Sequence, residues 1–133
     1  MISSKKRFLL DTQAFLLAAD PTAHFSSKIR ALLLSTENFL YLSLVSVWEM
    51  QIKIGLKKLS LPVGLPEAIQ AGVSQLGIEL LPLQVEHIYQ LSDLPLHHRD
   101  PFDRLLIAQA LCEKLTIIGG DSAFDKYKVD RIW

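Results

Sequence analysis

Short apolar runs alternate with helical segments along the whole chain, and this alternation restricts the fold more than any other feature. Arg7–Leu10 reads as a buried strand ending at Asp11, and Thr12–Ala19 as helical content that Asp20-Pro21 stops. Ser27–Leu34 predicts a second helix, with Ile29, Leu32 and Leu33 on one face. Phe39–Ser43 is the next strand, followed by a helix over Ser46–Ile54 that opens as a capping box of Ser46 and Glu49 and ends at Gly55. Leu56–Pro66 is a connection, after which Pro66 starts a helix reaching Leu76 and ended by Gly77. Ile78–Leu81 predicts a strand, Gln84–Ser92 a helix and Pro101–Lys114 another. Thr116–Ile118 is a β-branched strand, Ser122–Tyr127 a short helix or turn, and Val129–Trp133 a last strand. Strands alternating with helices need right-handed crossovers and a mainly parallel sheet flanked by helices on both faces. The expected class is α/β, doubly wound.

No repeat, low-complexity tract or linker divides the sequence, so residues 1–133 read as one domain. That length buries roughly two-thirds of the unfolded surface, and 50% hydrophobic residues supply a core without staples. Cys112 is the single cysteine, which excludes an intrachain disulfide; its place in an apolar helix predicts a buried, inert thiol in a reducing compartment. Acids and bases number 14 each, so the whole molecule has no net attraction for a polyanion and would need a local patch. The basic stretch Met1–Arg7 precedes only the short apolar run Phe8–Leu10, too little for a signal peptide. The longest uncharged spans, Asn38–Trp48 and Ala68–Ile78, hold 11 residues each, too few to cross a bilayer. The expectation is a soluble cytoplasmic protein with no membrane partner.

Four acids fall where such a sheet binds ligands, beyond the carboxyl ends of its strands and at helix starts. Asp11 follows the first strand, Glu49 lies in the first turn of the helix after the second, Asp103 opens the helix before the fourth, and Asp121 follows the fourth. Each has an ordinary structural explanation: Asp11 and Asp121 as caps, Glu49 in its capping box and paired with Lys53. In HHRDPFDRLLIAQA, Asp100 reads as the cap, Pro101 as the first helical residue and Asp103 as the third. Convergence of all four changes the balance, because like charges a few ångströms apart repel by on the order of 3–4 kcal/mol per pair at an intermediate dielectric. Such a cluster needs protons or cations, and all-oxygen ligands favour Mg²⁺ or Mn²⁺. That ion suits phosphodiester hydrolysis by activated water.

These residues lie in segments that resemble the PIN-domain family: LLDTQAF (Leu9–Phe15), SVWEMQIKIGLKKLSLP (Ser46–Pro62), LPLHHRDPFDRLLIAQA (Leu94–Ala110) and GGDSAFDKY (Gly119–Tyr127). The likeness runs over essentially the whole chain and is strongest to VapC-like toxin ribonucleases of type II toxin–antitoxin pairs. It implies a PIN-like fold and a metal-dependent endoribonuclease. The acidic quartet, catalytic and metal-binding, falls on Asp11, Glu49, Asp103 and Asp121. Asp103 is preferred over Asp100 because D-x-L-x-x-A-x-A matches from Asp103 through Leu105, Ala108 and Ala110. The resemblance also implies an RNA substrate, a homodimer and an antitoxin whose tail covers the site. One departure stands out. Many members carry Thr or Ser two residues before the last acid, where this chain has Gly119, leaving Ser122 or Thr12 to supply a hydroxyl.

Further candidates surround the quartet. Asp100 is expected to cap or orient, and Arg99 and Arg104 lead the cations for RNA contact, ahead of Lys5, Lys6, Arg7, Lys53, Lys57 and Lys58. Trp48, Phe102 and Leu105 read as core rather than as base-stacking platforms. His97 and His98 beside Asp100 lack the cysteines of a structural zinc site and read as loop histidines that hydrogen-bond or touch substrate. No nucleophile–base arrangement or phosphate loop has supporting context. Two other classes remain: a non-catalytic PIN-like binding module, and a Mg-binding receiver domain, which would want paired acids after the first strand where Asp11 stands alone. A dehalogenase-like phosphatase is excluded because Asp11 lacks a D-x-D partner at Gln13.

Overall fold

The computed structural model describes residues 6–133; Lys5 lies outside the described residues. Five strands, β1 (Lys6–Leu10), β2 (Asn38–Ser43), β3 (Glu79–Leu81), β4 (Thr116–Ile118) and β5 (Arg131–Ile132), form one sheet in the order β3-β2-β1-β4-β5. Every pairing is parallel, so the expected mainly parallel sheet is wholly parallel among the described residues. Six α-helices flank it: α1 (Thr12–Ala19), α2 (Ser27–Leu34), α3 (Leu44–Gly55), α4 (Leu65–Leu76), α5 (Val85–Gln90) and α6 (Pro101–Glu113). Short 3-10 segments at Leu91–Asp93 and Ser122–Lys126 complete the chain. No described helix is long and apolar enough to cross a membrane.

A central parallel strand is buried on both faces, which is why its sequence reads as a continuous apolar run. On β1, Phe8 and Leu10 join one core with Phe15, Ile29, Leu42 and Met50. Leu9, between them, joins the other with Leu106, Ile107, Ile117 and Phe124. The chain enters at the centre, winds outward to β2 and β3, then crosses back to β4 and β5. The winding direction therefore reverses between β1 and β4, where doubly wound sheets leave a crevice.

Several boundaries differ from expectation. Helix α3 begins at Leu44, two residues early, because Ser43, the last residue of β2, is itself the cap and accepts from Val45 N at 3.0 Å. Ser46 is therefore inside the helix and fully buried, the capping box with Glu49 does not form, and Glu49 sits beyond the first turn. Gly55 is the last helical residue and the left-handed turn falls on Lys57 (φ 58°); α6 likewise ends on a left-handed Lys114. Cys112 is exposed, since α6 buries Leu106 to Ala110 and turns the later residue outward. Trp48 is 55% exposed and meets Phe102 edge-on at 5.1 Å, so it is a surface residue and not core.

Candidate active site

Asp11 emerges from β1 at the crevice, with its backbone N–H still bonded to Ile118 O of β4 at 3.0 Å. Its Oδ1 caps α1 by accepting from Ala14 N at 2.7 Å, and only 6% of the residue is exposed. Burial pushes its carboxyl up to about 6; the Ala14 N–H opposes the rise, the charges of Asp121 and Glu49 add to it, and Arg131 opposes it. Asp103, in the first turn of α6, is also pushed up to about 6, first by burial and then by Asp100, with Glu49 and Asp11 adding and His98 opposing.

Glu49 is buried, and both its oxygens are held: Thr12 Oγ1 donates to Oε1 at 2.7 Å, and Lys53 Nζ pairs with Oε2 at 2.8 Å. Thr12 Oγ1 also lies 2.9 Å from the buried Ser46 hydroxyl, so α1 and α3 are tied by a short polar chain. Asp121 is exposed; its Oδ1 accepts from Ala123 N at 2.9 Å, leaving Oδ2 facing His98 Nε2 at 3.9 Å. The same imidazole nitrogen lies 2.9 Å from Asp103 Oδ2. Asp11, Glu49, Asp103 and Asp121 therefore share one end of the sheet, each within electrostatic reach of another.

The flanking candidates divide. Asp100 caps α6, its Oδ1 accepting from Phe102 N at 2.8 Å and Asp103 N at 3.3 Å. Arg99 and Ser122 are exposed. Arg104, expected to face RNA, instead turns toward the protein and donates to Pro95 O, Leu91 O, Leu94 O and the Tyr127 hydroxyl. The reason is local: one turn into α6, its guanidinium meets the carbonyls of the preceding loop. Arg7 donates to Glu113 O at 2.7 Å and covers the Tyr41 ring, while Lys53 is engaged with Glu49. Lys6, Lys57 and Lys58 are exposed. Of the two hydroxyls weighed against Gly119, Thr12 is the one bonded to an acid of the cluster.

Arg131 had no place in the sequence reading. From β5 it donates to Gly119 O at 2.9 Å and grips Asp125 with two bonds of 2.9 and 2.8 Å, holding the turn that carries Asp121. Nothing local in the sequence marks it; His98, by contrast, was flagged by its neighbour Asp100.

A comparison with curated proteins found no match. Among solved structures, the chain is similar to VapBC2 from Rickettsia felis bound to a promoter DNA fragment, with TM-score 0.73 and 16% identity over 95% of this chain and 97% of the other. DNA-bound VapBC from Salmonella typhimurium gives 0.70 and 15% over 96% and 97%. FitAcB from Neisseria gonorrhoeae gives 0.66 and 19% over 94% and 96%. A family model described as the PIN domain matches residues 8–130, so the chain belongs to the PIN-domain family.

Proposed function

We propose that the chain is a metal-dependent endoribonuclease, the VapC-like toxin of a type II toxin–antitoxin pair acting in the cytoplasm. The observation that carries this reading is the convergence of Asp11, Glu49, Asp103 and Asp121 at one end of the sheet, where burial pushes the Asp11 and Asp103 carboxyls up to about 6. A fold that crowds ionisable acids away from water is poised for a cation to replace their protons. The donors Asp11, Glu49, Asp103 and Asp121 offer oxygen alone, the ligand chemistry of Mg²⁺ or Mn²⁺, and are assigned to hold the ion directly or through water. When bound, the ion supplies Lewis-acid activation of water and neutralises charge developing on the phosphate.

The side chains around the ion have separate tasks. Asp11 and Asp121 each spend one oxygen on a backbone cap, which fixes the carboxylate plane and leaves the other oxygen for the site. Thr12 and Lys53 orient Glu49. Arg99, exposed beside the cluster, is assigned to the RNA backbone. Homodimerisation and inhibition by an antitoxin are proposed on the likeness to VapBC and FitAcB, and that likeness favours a nuclease over a non-catalytic module. The test is to map cleavage in total RNA after brief induction, beside Asp103→Asn. New cut ends with the wild type alone support the reading, and equal cutting by both removes it.

A further inference from the structure

Resting on the metal-site reading above, we infer that His98 closes the Asp103–Asp121 side of the cluster to a second cation, so that the site holds one ion. The imidazole is placed for this by its own loop. His98 N–H donates to the Tyr127 hydroxyl oxygen at 2.8 Å, and His97 N–H reaches the same oxygen at 3.1 Å. Tyr127 is itself buried, and Arg104 braces it while gripping the Leu91, Leu94 and Pro95 carbonyls. The segment before α6 is thus anchored at several points, and the ring at its end has little freedom.

The tautomer is also fixed. Asp100 N–H donates to His98 Nδ1 at 3.2 Å, so Nδ1 carries the lone pair and Nε2 the hydrogen. A nitrogen bearing hydrogen cannot be a metal ligand. Nε2 is buried, lies 2.9 Å from Asp103 Oδ2 and 3.9 Å from Asp121 Oδ2, and makes no directed hydrogen bond to either. Nε2 therefore lies beside both carboxylates, and the hydrogen it carries has no acceptor among them. The three atoms lie within 4.8 Å of one another. A divalent ion placed between those two acids would meet an imidazole nitrogen that already carries its hydrogen. The single ion would be held by the quartet of Asp11, Glu49, Asp103 and Asp121.

Titration of the metal-free full chain with Mn²⁺ alone tests this, read by calorimetric stoichiometry and by electron paramagnetic resonance. Wild type is expected to bind one ion with an isolated-Mn²⁺ spectrum, and His98→Ala two ions with the exchange-coupled spectrum of a close pair. His98→Gln, which keeps an N–H donor, is expected to stay at one and guards against a variant that fails to fold. Two ions in the wild type, or one in a folded His98→Ala, overturn the role of His98 while leaving the nuclease reading standing. No Mn²⁺ binding by the wild type overturns the metal reading itself.

Discussion

Gly119 lies against the carboxylate of Asp11. A Cβ built on Gly119 would overlap Asp11 Oδ2 and stand 2.8 Å from Asp11 Cγ, closer than real side chains approach. The obstacle is a carboxylate already committed through Oδ1 to the Ala14 N–H, so it cannot swing away freely. Glycine here makes room for the first acid, and Thr12 supplies the hydroxyl at the cluster from another element.

Gly119→Thr is therefore expected to impair the site even though it restores the residue type common at this position in the family. Displacing Asp11 should weaken Mn²⁺ binding by about 10–100-fold, the range for losing support around a metal ligand. Calorimetric titration checks it. Unchanged or tighter binding would show that Asp11 moves without penalty.

Thr12→Val keeps the shape of a buried side chain and removes the bond to Glu49 Oε1. Glu49 would then be oriented by Lys53 alone, from the exposed side of α3. The expected loss is again about 10–100-fold in metal affinity, together with about 1–3 kcal/mol of stability for the polar groups left unpaired. Thr12→Ser, which retains the hydroxyl, should recover most of the affinity.

The raised carboxyls set an unusual pH dependence. Asp11 and Asp103 ionise near 6 when folded, against 3.8 in the unfolded chain. A folded value above the unfolded one means that the folded state holds these protons more tightly, so the stability these two groups contribute is fully present below about 4 and is lost as pH rises through about 6. Metal-free protein should accordingly lose melting temperature between pH 4 and pH 7, and Asp11→Asn should flatten that slope. Mg²⁺ should reverse it, adding about 2.7 kcal/mol at a hundredfold excess over Kd, with affinity falling as pH drops below about 6. Thermal melts across pH, with and without Mg²⁺, measure both.

Local rules make part of this arrangement legible in the sequence. Asp100-Pro101 announces the start of α6 because a cap and a first-turn proline act within one turn, and Gly77 ends α4 in a left-handed conformation (φ 66°) for an equally local reason. Asp11 and Asp121 were legible because strand ends and caps coincide. Glu49 was visible as an acid but was set one turn too early, since β2 passes into α3 through Ser43 with no loop to mark the junction. The positions of Arg131 and Tyr127 depend on long-range packing: Tyr127 receives an N–H from a residue 29 positions earlier, and no periodicity encodes that. Cys112 faces solvent for a related reason, because the run Leu105–Cys112, apolar apart from Gln109, does not reveal which turn leaves the core.

Asp100 and Asp103, three residues apart, separate stability from chemistry. Asp100 accepts two backbone N–H bonds at the start of α6, the ordinary work of a cap. Asp100→Ala should lower stability by about 1 kcal/mol, with a fall in melting temperature. Asp103 is largely buried, its carboxyl is raised, and its backbone rather than its side chain serves the cap. Asp103→Asn removes a charge that burial and Asp100 disfavour at neutral pH, so the metal-free variant should melt at a higher temperature than wild type. Its RNA cleavage should fall by more than the ~10–100-fold expected for an outer-shell residue. Melting curves and a cleavage assay on the two variants decide it: a destabilised Asp103→Asn would show that Asp103 supports the fold, and wild-type cleavage by that variant would remove it from the site.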